Sequence, residues 1–348
     1  MGTSLRFAAE ALERLACDLF TRAGTPAPIA RVVAGILVRS NLTGHDSHGI
    51  LRIPHYLEQI EQGRLIPAAE PVVQRETAAA ALVDAQRGFG HYAAREAMAL
   101  AIRKAQAAGA AAISLVRCNH IGRLGEYAEQ AAAAGCVGIV TSGFGGPGTG
   151  LAAPPGSAEV ALGTNPIAIG VPTGDDTPFV LDFATTVIAE GKIQVARSKG
   201  ELLPEGCILD REGRPSVSPA DFYAGGSLRF AGGHKGYALS LATCLFGALG
   251  GGWDHERRRL GGVLLQAIDP GAFGDRATYA ERVREFLAGI RALPPLDPAA
   301  PVIVPGVPER AAFRERSARG IEVPLTIWQS LEACAARWGV ELPAPLAD

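Results

Sequence analysis

Residues 141–150, TSGFGGPGTG, place Gly143, Gly145 and Gly148 in G-x-G-x-x-G spacing, directly after an apolar run at 137–140 that reads as a strand. A dinucleotide-binding turn of this spacing needs its third glycine to open a helix, because the free N–H groups of the first helical turn hold the pyrophosphate. Here Gly148 is followed by TGLAAPPGSAEVALGTNPIAI, and Pro147, Pro154 and Pro155 forbid a helix interior. No acidic residue ends a following strand where the fingerprint requires one. With 43 glycines in the chain, chance also produces such spacing. The stretch is therefore read as a glycine-rich loop after a strand, beside a ligand cleft rather than around a pyrophosphate.

Outward from that strand the texture is α/β. Apolar runs at 111–116, 137–140, 166–171 and 179–183 read as strands, with an Ala-rich helix at 123–134. A second set follows: helix 237–249, strand 262–268, helix 277–292 and strand 302–304. The two ends of the chain differ. Residues 7–22, 28–42 and 49–62 carry apolar side chains at helical spacing, as do 309–318 and 325–338, and these amphipathic ends are expected to pack together. Two units follow: a helical one from 1–70 plus 305–348, and an α/β one from 71–304.

The totals limit the function. The chain has 348 residues, 48% hydrophobic and 20% charged, with a net charge of -2. That composition suits a globular protein with a substantial core. The clusters RERSARG and HERRRL are too short for a nucleic-acid footprint. The six cysteines lie far apart with no C-x-x-C pair, which points to a reducing compartment, and no stretch is apolar enough for a membrane span. The expected location is cytoplasmic.

Four polar clusters could carry chemistry. In HDSHGILRIPHY, Asp46, Ser47, His48 and Arg52 mix a proton carrier, a hydroxyl and a fixed cation. His48 and Arg52 are four apart, so on a helix they share a face, a combination that suits an acid substrate. The alternative is a helix N-cap by Asp46 or Ser47 with His48 merely exposed. The H-x-x-H spacing of His45 and His48 lacks the geometry of a helical zinc pair, so no metal is expected. In RCNHIGRLGEYAEQ, Asn119 and His120 end a strand, where α/β folds place clefts. In GGHKGYALSL, His234 and Lys235 open a helix and suit a phosphate. In PFVLDFATT, Asp182 ends a buried strand and calls for a partner, for which an imidazolium is expected.

DSHGILRIPHYL, CNHIGRLGEYA, APPG, LGTNPIAIGVP, FVLDFATT, GKI, LPEG and GGHKGYALSL, in this order, resemble the malate/L-lactate dehydrogenase-like family of non-Rossmann oxidoreductases. The resemblance runs nearly end to end, although no segment between 250 and 301 contributes. It implies a non-Rossmann α/β fold with a mixed sheet, a homodimer, and NAD or NADP, with NAD preferred. The implied reaction is hydride exchange between nicotinamide and a small 2-hydroxy or 2-oxo acid such as malate, lactate or a related hydroxycarboxylate. Reduction of a cyclic imine carboxylate is the alternative within the family. Carried over, the catalytic groups are His48, Ser47, Asp182 and His120, with Arg52, Thr164 and Asn165 at the substrate. Cofactor contacts fall on His48, His120, Gly122, Arg123, Leu124, Pro178, Phe179, Val180, Leu181, Asp182, His234, Lys235, Gly306, Glu309 and Arg310. Outside oxidoreductases, a Ser47–His48–Asp182 hydrolase is the competing class, though adjacent Ser and His rarely meet triad geometry and no G-x-S-x-G elbow occurs.

Overall fold

In the computed structural model, which describes residues 4–254, 256 and 258–346, the strand expected at 137–140 does not stop there. It runs through Val137–Gly145 and carries Gly143 and Gly145 into the middle of the main sheet. The loop reading therefore holds only from Gly146 onward. The physical reason is a close approach: a Cβ at Gly143 would overlap the backbone of Thr243 and Cys244 on the helix above. Glycine at 143 lets that helix lie directly on the sheet.

The chain begins with β1 (Ser4–Phe7), α1 (Ala9–Arg22), α2 (Ala27–Leu42) and, after two 3₁₀ turns, α3 (Ile53–Glu61). Next come β2 (Val72–Glu76), β3 (Ala80–Asp84), α4 (Gly90–Ala108), β4 (Ala110–Val116), α5 (Gly125–Ala133), β5 (Val137–Gly145), β6 (Ile167–Val171) and β7 (Phe179–Phe183). A smaller section holds α6 (Glu190–Lys199), β8 (Ile208–Leu209), β9 (Pro215–Ser216), α7 (Pro219–Tyr223), β10 (Ser227–Leu228), α8 (His234–Gly247) and β11 (Trp253–Asp254). The remainder is β12 (Arg259–Ile268), α9 (Arg276–Arg291), α10 (Val307–Arg319), β13 (Ile321–Pro324) and α11 (Leu325–Trp338).

The main sheet has the order β2-β3-β4-β12-β5-β6-β7, with β11 paired to β12. Only β3 with β4 is parallel; the other pairings are antiparallel, so the sheet is mixed. Helices α4 and α5 cover it through an Ala-rich core that includes Ala94, Ala97, Ala101 and Ala128, all buried. Small side chains let those helices approach closely. The chain ends meet in a second core, where Phe7, Leu12, Leu19 and Phe20 pack with Ile321, Trp328 and Leu331. Phe7 stacks on Trp328 at 4.1 Å between ring centroids, and β1 pairs antiparallel with β13.

Two expectations are corrected. Residues 302–304 are not a strand, since this segment has no ladder partner. Residues 49–62 are not one helix: the 3₁₀ turns Asp46–His48 and Ile50–Arg52 precede α3, and Gly49 between them is extended. The short pairs β1–β13 and β8–β9–β10 have too few residues for an alternation to be visible in sequence. His255 and Arg257 of HERRRL lie outside the described residues.

Candidate active site

The first polar cluster folds into a turn pinned from both sides. Asn41, on the last turn of α2, donates from Nδ2 to Asp46 Oδ1 at 2.7 Å and accepts from the Ile50 N–H at 2.9 Å. From the other side, Arg316 of α10 donates to Asp46 at 2.7 Å and to the Asn41 carbonyl at 2.5 Å. His45 lies 3.7 Å from Glu309 of the same helix. Asp46 is thus an anchor, and neither it nor Ser47 caps a helix. Held this way, Ser47 Oγ meets His48 Nδ1 at 2.9 Å, although the two residues are adjacent.

His48 faces His120, which β4 delivers just beyond its C-terminal end. The two rings stack with centroids 5.6 Å apart. Both line a cavity of about 840 Å³, together with Gly122, Leu124, Thr164, Asn165 and Arg259. Burial, helped by the Arg52 charge, lowers the His48 pKa to about 3, and burial beside His48 and His91 holds His120 well below the usual histidine range. His48 is therefore neutral at pH 7, while His120, although exposed at the surface, is biased toward its neutral form by the same surroundings.

Arg52 does not share a helical face with His48. Its Nε donates to the Ser47 carbonyl at 2.7 Å, and its guanidinium lies 3.6 Å from Glu190. The extended Gly49 is the reason: it turns the chain so that Arg52 braces the turn from behind. Among the cavity-lining residues, the guanidinium with a buried nitrogen lacking a hydrogen-bond partner is Arg259, at Nε. Sequence reasoning missed Arg259 because it lies in the segment without a recognised motif. Arg117, also on the cavity, is committed to Asp84.

Asp182 receives a different partner from the one expected. Its carboxylate accepts the Gly125 N–H at 2.7 Å. Burial raises its pKa, while the main cation beside it is Arg123 rather than an imidazolium. Arg123 is itself buried at 2% exposure and pairs with Glu129 at 2.9 Å. No Ser–His–Asp triad is assembled, because the Asp182 carboxylate accepts from the first N–H of α5. Asn165 lines the cavity, but its side-chain groups are used internally: Nδ2 donates to Ser240 Oγ at 2.9 Å and Oδ1 accepts from the Phe144 N–H at 3.0 Å. Thr164 contributes its carbonyl to Thr185 and shares the same wall.

The expected cofactor residues fall into two places. His48, His120, Gly122 and Leu124 line the first cavity. Pro178, Val180, Gly306, Glu309 and Arg310 line a second, of about 400 Å³, with Arg39 and Arg95. Phe179 and Leu181 alternate with Val180 and Asp182 along β7. At the second cavity Arg310 pairs with Asp176, while its buried Nε and the buried Glu309 Oε2 have no hydrogen-bond partner. Orphaned polar atoms of this kind fit a polar ligand with phosphate and hydroxyl groups. His234 and Lys235 stand exposed at the start of α8 and line neither cavity, so the structure does not bring them to the others. Among the described residues, no group of three or more His, Cys, Asp or Glu could hold a metal ion.

The family model for malate/L-lactate dehydrogenase matches residues 7–332. The chain belongs to this family. It is 38% identical to hydroxycarboxylate dehydrogenase B of Escherichia coli O157:H7 over 98% of this chain and 96% of that protein. It is 32% identical to L-sulfolactate dehydrogenase of Methanothermobacter thermautotrophicus, over 97% and 98% of the two chains. Among solved structures, a putative malate/lactate dehydrogenase from E. coli superposes with a TM-score of 0.88 at 36% identity, covering 97% of this chain and 96% of that one. Membership makes the protein an oxidoreductase of the hydroxycarboxylate dehydrogenase type, and places the two-histidine cavity in a family whose substrates are small hydroxy or oxo acids. No helix of the described residues is long and apolar enough to cross a membrane.

Proposed function

We propose that the protein is a cytoplasmic NAD(P)-dependent dehydrogenase of small 2-hydroxy acids, with NAD preferred, working as a homodimer of chains divided into units 1–70 plus 305–348 and 71–304. The observation that carries this reading is the stacking of His48 on His120 at one cavity, beside the Gly122–Leu124 turn and near Arg259. When bound, the nicotinamide supplies or accepts the hydride at C2 of the acid. The residues of the chain do the rest. A neutral imidazole takes the hydroxyl proton as the alcohol is oxidised and returns it to the oxygen in reduction. Arg259 holds the substrate carboxylate, and Arg52 orders the turn that presents His48, which together fix C2 relative to the imidazoles. Gly122 and Leu124 border the nicotinamide end, and the cavity of Arg39 and Arg310 takes the phosphates and far ribose.

Turnover with a panel of 2-oxo acids and one cyclic imine carboxylate, using NADH and NADPH, tests the reading. His48→Ala and His120→Ala are each expected to lower kcat at least about 100-fold, the range of general acid–base catalysis. Near-wild-type rates for both variants would overturn the assignment. Faster turnover of the imine than of any keto acid would move the substrate to C=N with the same proton donors.

A further inference from the structure

Behind the two histidines stands a pair of groups that the reaction, as described so far, does not use. Tyr56, on α3 and 2% exposed, has its hydroxyl 2.7 Å from His120 Nδ1 and 3.5 Å from His91 Nε2. His91, on α4, is fully buried, and its Nδ1 has no hydrogen-bond partner. The cluster is tightly constrained. Gly122, at φ 74°, lies so close that a Cβ there would stand 2.8 Å from His91 Nε2, and the Tyr56 ring packs edge-on against both Phe89 and His91.

One hydroxyl proton cannot serve both imidazoles. If Tyr56 donated to His91, the His91 Nδ1 would have to carry a proton with nothing to receive it, and a buried orphan N–H is the costlier defect. In the opposite sense His91 Nε2–H donates to the Tyr56 oxygen, and Nδ1 is left as a bare lone pair. Tyr56 O–H then donates to His120 Nδ1, and the single proton of the neutral His120 sits on Nε2. We infer that Tyr56, backed by His91, is a positioning residue that fixes His120 as the Nε2–H tautomer, a neutral N–H donor to the substrate oxygen, which leaves His48 as the imidazole that takes and returns the proton. This rests on the two-histidine reaction proposed above, but its outcome is separable from it.

The experiment is a double-mutant cycle with Tyr56→Phe and His120→Asn in the full-length enzyme, measured with the best keto and hydroxy acid pair. The Phe ring keeps the packing of α3 and removes one hydroxyl. Tyr56→Phe is expected to lower kcat about tenfold with KM within about twofold, the scale of one directed hydrogen bond. In the His120→Asn background the same change is expected to alter kcat less than about twofold. An equal loss in both backgrounds, no loss in either, or a loss carried by KM rather than kcat would overturn the role of Tyr56. If the enzyme turned over no 2-oxo acid or imine at all, the proposed function would fail instead.

Discussion

At the scale of single residues, burial has made the site's histidines neutral. His48 and the fully buried His91 both have pKa values lowered to about 3, mainly by burial. The same groups in an unfolded chain titrate near ~6.5. Between these values the unfolded chain binds more protons, so stability is complete above about pH 6.5 and falls as pH drops toward about 3. Urea midpoints taken from pH 7.5 to 4.5 should decline, and His48→Asn should flatten the slope by up to ~1.4 kcal/mol per pH unit. Identical slopes for the two proteins would show that His48 is not held neutral. In the sequence, His48 and His120 were legible as candidates from their motifs. Tyr56 and His91 were not, since a tyrosine and a histidine inside helices look like ordinary packing until their polar atoms are seen to meet. Asp182 was legible as a buried carboxylate needing a partner, but its hydrogen-bond partner, the Gly125 N–H, is set by where α5 begins relative to β7.

At the scale of elements, the glycine motif has a structural role that its spacing does not reveal. Gly143 sits in β5 directly under α8, where a Cβ would overlap the Thr243 carbonyl, whereas Gly148 lies in the following loop with φ 64°. Gly143→Ala should therefore cost about 3 kcal/mol or more by overpacking. Gly148→Ala should cost about 1 kcal/mol, from its positive φ alone. Equilibrium denaturation of the two variants checks this, and the reverse order would remove the close-approach account. Strand β5 was legible at its apolar start, 137–140, and hidden after it. Glycines score against a strand by propensity, and only pairing with β12 on one side and α8 on the other restores it. The turn 46–52 shows the same effect: its helical spacing was real, but Asn41 and Arg316 hold it in two 3₁₀ turns.

At the scale of the whole molecule, one surface is unusually apolar. On α8 Leu245 is 63% exposed, with Leu241 and Phe246 partly exposed beside it, and Leu249 of the following 3₁₀ turn, Ala248–Gly250, is 68% exposed. Leu202 is 70% exposed. Monomeric proteins rarely leave an apolar helix face uncovered, and a second copy of this chain is the occupant expected in the proposed homodimer. Light scattering should give about twice the 36.1 kDa chain mass, and Leu245→Asp with Leu249→Asp should shift it toward the monomer. A monomeric wild type would contradict the dimer.

The sequence by itself determined the elements whose signal is local: amphipathic helices at both ends, apolar strands between them, and clusters of polar residues at strand and helix ends. Hydrophobic periodicity is set within a few turns, so it survives without the rest of the fold. The tertiary structure decided the partners. His48 on His120, Tyr56 between His120 and His91, Gly125 N–H on Asp182, and Arg316 on Asp46 join residues as far as 270 positions apart. Which polar group satisfies which is settled only when burial removes water as the alternative partner, and burial is a property of the assembled layers rather than of any one segment.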